Sequence, residues 1–272
     1  MVNLKDRRKA DGFGESTPSP IEIYLTWNPS RGAWSYSLPQ AGTWERGDMK
    51  NIRAVVLNPR LYRVTGRKDD DRISSNLCES FRSDLLTVRR KGLSGRSTKI
   101  NESPDVWPAI SAAVKERGGR YTKVIAVHLL HAKKAIYDGA SGKLGQFKAY
   151  PCSHLAFLYL TGNAILKGWG ASIEESELSE QQTFGMAMSQ DKTIDVPGQK
   201  RGEMYSHAVF EFKELEDDNA VLAAAQEQAD VLDEYLDAYF KKAGGDHSDE
   251  SAPVEEKYEK ADVAKDDDDL PF

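Results

Sequence analysis

From Ile21 the apolar residues fall two apart. Ile21, Ile23, Leu25 and Trp27 share one face of an extended segment, Trp34, Tyr36 and Leu38 share one face of the next, and Asn28-Pro29-Ser30-Arg31-Gly32 between them carries the residues of a chain reversal. Helix faces repeat at 3.6 residues, so a period of two commits this stretch to a β-hairpin. The same signal returns at Ile52, Ala54 and Val56 and, past Asn58-Pro59, at Leu61, Tyr62 and Val64. Pro59 has no N–H for a ladder and is expected to mark a bulge, an edge or a turn. Residues 121–130 are almost continuously apolar, as in a strand buried on both faces, and a further strand is expected over 143–150 after the Asp138-Gly139 turn. Residues 153–167 stay open between helix and strand. Strict alternation over 205–212 is expected to close the core.

Helical spacing enters later. A short helix is expected over 75–88, where Leu77, Phe81, Leu85 and Val88 recur at 4, 4 and 3. Another is signalled by Ser103-Pro104-Asp105, with Val106, Trp107, Ile110 and Val114 inward and Gly118-Gly119 as the stop. The strongest helical pattern covers 215–242. Glu216, Asp217 and Asp218 stand at its start, Lys241 and Lys242 at its end, and Gly244-Gly245 follow, as the helix dipole and C-cap favour. Its seam of Leu222, Ala225, Ala229, Leu232, Leu236 and Tyr239 has two readings: packing on the chain's own domain, or pairing with a second copy in a homo-oligomer. The expected class is therefore α+β, mainly β. Its divisions are an N-terminal arm (1–19), a β core (20–213), a C-terminal helix (214–243) and a disordered acidic tail (244–272).

Charge is strongly segregated along the chain. Residues 46–134 hold 20 Lys and Arg against 9 Asp and Glu, whereas residues 243–272 hold 3 against 11. A formal net charge of -6 thus conceals a basic block suited to a polyanion. The low mean hydropathy of -0.59 and the lack of any apolar run approaching about 18 residues imply no membrane span, and the polar first 20 residues are unlike a signal peptide. A cytoplasmic location is expected, that of the bacterial host cell if the chain is phage-encoded. Two cysteines, Cys78 and Cys152, do not make a disulfide framework.

At the start of the basic block and just before it, aromatic and basic residues interleave among strands. Trp34, Tyr36, Trp44 and Tyr62 lie near Arg46, Lys50, Arg53, Arg60, Arg63, Arg67 and Lys68, followed by Arg89, Arg90, Lys91 and Arg96. A single strand of nucleic acid exposes π-faces and phosphates together, so this mixture suits it. A β-surface used in this way is the logic of the OB-fold, a small Greek-key barrel, with helical insertions here. Half of these aromatics are equally expected in the core. Enzyme signals are weak: there is no Walker A loop, Gly-x-Ser-x-Gly or His-Glu-x-x-His. His128, His131, Cys152 and His154 could be drawn as a zinc set, but His-x-x-His on a strand divides between its two faces. Asp69-Asp70-Asp71, beside Arg67, Lys68 and Arg72, reads as a charged loop. No catalytic residue, metal or cofactor is expected.

The last seven residues are Asp266-Asp267-Asp268-Asp269-Leu270-Pro271-Phe272. Four adjacent carboxylates must be solvated, yet they lead to an apolar tip that a solubilising tail does not need. Pro271 stiffens the backbone before Phe272, whose ring suits an apolar pocket while the carboxylates suit a basic rim. The stretch closely resembles the C-terminal tip of bacterial single-stranded DNA-binding proteins. In that family an acidic tail ends in a Pro-Phe that docks on replication and repair enzymes. The resemblance covers the tail alone; the body is longer than that family's domain and does not match it. It implies a bacteriophage- or plasmid-type counterpart that binds single-stranded DNA without strong sequence preference, acts in replication, recombination or repair, and recruits partner enzymes through Asp266 to Phe272. Alternatives are a recombination annealing protein, or a nuclease or other replication enzyme carrying a similar tail.

Overall fold

The period-two segment forms the hairpin that its spacing requires: β1 (Ile23–Asn28) pairs antiparallel with β2 (Ala33–Gln40). Gly32 takes φ +54° in the connecting turn, where a side chain would be strained. The computed structural model describes residues 19–40, 43–68, 71–79, 86–91, 97–100, 119–198, 203–215 and 220–243. The arm over 1–18, the helix expected from 103, and the tail from 244 fall outside these.

β3 (Thr43–Lys68) organises the rest. At 26 residues it is too long to stay straight, and its ladder with β8 (Gly119–Ile136) shifts register four times between Lys50 and Leu61. Such bulges bend a strand and add twist. Pro59 lies within the last shift, between Asn58 and Leu61, so it marks a bulge as expected. The bend lets β3 pair with β2 at one end and with β4 (Asp71–Ser75) at the other. β9 (Lys148–Thr161) runs antiparallel to β8 and parallel to β1.

The pairings β1–β2–β3–β8–β9–β1 therefore close a ring. The expectation of a mainly β, α+β protein is met, but the strand order differs from a Greek key. Neighbours around the ring follow one another along the chain as a meander. Five strands running alternately up and down leave the first and last parallel, which is how β1 and β9 meet. Closeness at the ring requires Gly47: a Cβ there would lie 2.1 Å from the Ala135 carbonyl oxygen and 2.7 Å from the Tyr36 hydroxyl.

The strands bury both faces. One cluster contains Leu25, Trp27, Trp34, Tyr36, Met49, Ile125, Val127 and Leu158. The other contains Val55, Leu57, Leu61, Val124, Ala126, Leu155 and Phe157, covered by the helix α2 (Ala220–Ala243) through Ala225, Ala229, Leu232 and Leu236. Burial on both faces is why 121–130 reads as unbroken apolar sequence. The helical seam thus packs on the chain's own sheet, the first of its two readings. Tyr239 fixes the far end, its hydroxyl accepting from the Leu77 N–H at 2.9 Å.

Two local expectations change, over 75–88 and 143–150, and the open stretch 153–167 divides between strand and helix. The helix over 75–88 is replaced, at its described positions, by β5 (Cys78–Glu79) and β6 (Leu86–Lys91), because Ser75 to Arg72 pair with Val88 to Lys91 across the β4–β6 ladder. Residues 153–167 are strand to Thr161 and then a π-helix, Ala164–Gly170, that runs into α1 (Ala171–Glu175). The strand foreseen over 143–150 begins only at Lys148; Leu144 makes a single bridge to Tyr137. β7 (Ser97–Ile100) extends the sheet beyond β6, while β10 (Ala187–Pro197) and β11 (Met204–Lys213) form a hairpin joined to β3. Among the described residues no helix is long and apolar enough to cross a membrane.

Candidate nucleic-acid interface

Two of the expected stacking aromatics are core. Trp34 is 0% exposed, meets Trp27 edge-on at 5.1 Å, and donates its indole N–H to Gln190 Oε1 at 3.1 Å. Tyr36 is 2% exposed and donates its hydroxyl to Glu45 Oε1 at 3.0 Å; burial, and then this carboxylate, push its pKa far above the ordinary phenol value. Both follow from the alternation that defines the hairpin, since the apolar face of β2 is the ring's buried face. Tyr62 is half-buried against Tyr121, ring centres 5.6 Å apart. Trp44 is described only by its backbone, opposite Pro39 in the β2–β3 ladder.

The basic residues from Arg46 to Arg60 on β3 are scattered, and Lys50 and Arg53 are engaged. Arg46 is half-buried, and its carbonyl accepts from the Tyr137 N–H. The Lys50 ammonium sits 5.1 Å from the Phe147 ring centre. Arg53 is ion-paired with Asp191 at 2.7 Å. Arg60 is half-buried, its backbone N–H donating to Asn58 Oδ1. Lys123 is also withdrawn: burial lowers its pKa, and its Nζ meets Glu180 at 2.5 Å.

In the β8–β3–β4–β6–β7 part of the sheet the backbone register sets the arrangement. Residues directly opposite in an antiparallel ladder share a face, as do residues two apart along a strand. One row reads Arg120–Thr65–Ser74–Arg89–Ser97 across β8, β3, β4, β6 and β7. The next outward reads Arg67–Arg72–Lys91. Arg63 opposite Thr122, and Lys99 opposite Thr87, belong to the same face. Register thus brings Arg63, Arg67, Arg72, Arg89, Lys91, Lys99 and Arg120 onto one face, with no carboxylate in those rows. Glu79, opposite Leu61 one row inward, is 2% exposed and receives a hydrogen bond from Asn58 Nδ2. At about 4.8 Å per strand interval the five strands span roughly 19 Å.

Of the expected site residues, Arg63, Arg67, Arg89 and Lys91 share this face. Lys68 and Arg90 take positions on the opposite one, because each lies a single residue from a member of the set. Arg96 and Asp266 to Phe272 lie outside the described residues. Arg72, Lys99 and Arg120 complete the face without having been singled out. The two-residue connection between Lys68 and Asp71 was the signal that could have placed Arg72, since so short a link sets Arg67 opposite Arg72.

The zinc set does not assemble. His128 Nε2 lies 2.8 Å from Ser153 Oγ, His154 is shared between Glu22 and the Tyr150 hydroxyl, and Cys152 Sγ lies 3.6 Å from the Leu129 carbonyl, its thiol pushed up by burial to about 11. Among the described residues no group of three or more His, Cys, Asp or Glu could hold a metal ion. No protein-family model matches the chain, and no curated protein or solved structure gives a match.

Proposed function

We propose that the chain binds single-stranded DNA on the Arg63–Arg120 face of the β8–β3–β4–β6–β7 sheet, beyond the part of that face that α2 covers, and recruits replication, recombination or repair enzymes through Asp266 to Phe272. The observation that carries the first part is the cross-strand register that sets seven cations on one face with no carboxylate among them. Such a face attracts a polyanion, and counterion release from the phosphates would supply most of the affinity. The choice of single strand over duplex rests on the tail, whose last residues resemble the tip of bacterial single-stranded DNA-binding proteins. The finer expectation of an OB-fold enters here only as analogy: a small curved β-surface is used in the same way, with strands in meander order. Binding, without catalysis, is the mechanism.

Fluorescence anisotropy of labelled oligo-dT against duplex DNA at two salt concentrations tests the reading. If about six phosphates are engaged, log K should fall against log salt with a slope of roughly -4. Equal affinity for duplex, or an affinity indifferent to salt, would remove it.

A further inference from the structure

Resting on that reading, we infer that the basic face recognises the sugar–phosphate chain and is blind to the bases. The residues interleaved with its cations are Thr65, Thr122, Ser74, Thr87 and Ser97. Hydroxyls and cations are the groups that contact phosphate and sugar; sequence-tolerant grip on bases requires aromatic platforms. Among the described positions of these rows there is no aromatic residue. Tyr62 and Tyr121 take register positions on the opposite face, opposite Lys123 and Val64 respectively. Trp34 and Tyr36 are buried in the ring. Thr65 Oγ1 and Thr122 Oγ1 lie 2.6 Å apart and share one hydrogen bond. Thr122 is 1% exposed, so of this pair only the half-buried Thr65 could turn its hydroxyl towards an outside acceptor such as a phosphate oxygen, with Thr122 as the donor within the pair.

The test compares oligo-dT with an abasic oligomer of equal length, which keeps every phosphate and lacks every base, on the full chain at two salt concentrations. The inference expects affinities within a few-fold of each other and equal salt slopes. Replacing Arg72→Ser with Lys99→Ser should weaken both ligands alike and make the slope shallower by about 1.4 if each contacts one phosphate. Lys68→Ser with Arg90→Ser, on the other face, should change neither. Loss of even two stacked bases weakens binding about thirtyfold or more, so an abasic oligomer bound that much more weakly than oligo-dT would overturn the inference while leaving single-strand binding intact. An opposite-face pair as damaging as the first would overturn it too, by showing that total charge and not this face is felt. Failure of oligo-dT itself to bind would instead refute the proposed function, and this inference with it.

Discussion

Trp34→Phe separates the two roles that a strand tryptophan close to a basic block can play. In the structure the indole N–H is the hydrogen-bond partner of Gln190 Oε1, and Gln190 is 3% exposed with its own amide committed to the Lys192 carbonyl at 2.8 Å. The amide cannot turn to water without breaking that second bond. Leaving a buried acceptor unpaired costs about 1–3 kcal/mol. Phenylalanine also leaves part of the indole volume empty beside Trp27 and Phe210, adding about 1 kcal/mol for an incompletely collapsed cavity. The variant should therefore lose about 2–4 kcal/mol in urea denaturation, seen as a lower midpoint at unchanged slope. Its oligo-dT affinity, measured where it is fully folded, should equal that of the parent. Unchanged stability together with weakened oligo-dT binding would refute the placement of Trp34 in the core.

Four other substitutions or conditions test separate parts of the account. Gly47→Ala would drive a Cβ into the Ala135 carbonyl, so soluble folded protein should fall sharply, and normal yield with an unchanged circular dichroism spectrum would argue against this ring closure. Tyr239→Phe leaves the Leu77 N–H without its acceptor and should cost about 1–2 kcal/mol in the same urea assay. Burial holds the His128 imidazole below its ordinary pKa near 6.5, so the unfolded chain takes up a proton that the folded one resists; stability should decline as pH falls from about 6.5 towards the folded value, and His128→Gln should flatten that decline. Parallel pH profiles for the two proteins would contradict it. Phe272→Ala should abolish capture of replication and repair enzymes by the tail while leaving oligo-dT affinity unchanged, since a lost hot-spot ring costs about 2 kcal/mol or more.

The hairpin, the buried strand β8, the bulge at Pro59 and the C-terminal helix were legible in the sequence because each is set by local periodicity or by one residue's chemistry. Ring closure was not: it depends on β9 meeting β1 across more than a hundred residues, and nothing in either segment names its partner. Leu77, Phe81, Leu85 and Val88 mimic a helical stripe, yet Ser75 and Val88 are strand neighbours. The aromatic half of the site was misplaced for a related reason. Alternation shows that Trp34 and Tyr36 share a face, but not that the ring encloses it. The basic half was legible as composition only; its arrangement needed the ladders, which put Arg72, Lys99 and Arg120 beside Arg67, Arg89 and Lys91 and moved Lys68 and Arg90 away.

Lysine footprinting of the full chain with and without oligo-dT tests the central claim most directly, because acetylation rates read the location of the bound strand residue by residue. Lys91 and Lys99, on the basic face, should be protected by DNA, whereas exposed Lys133 and Lys167 on other parts of the fold should react at the same rate in both samples. Protection of Lys133 with unchanged reactivity at Lys91 and Lys99 would contradict the account and move the interface to the opposite end of β3.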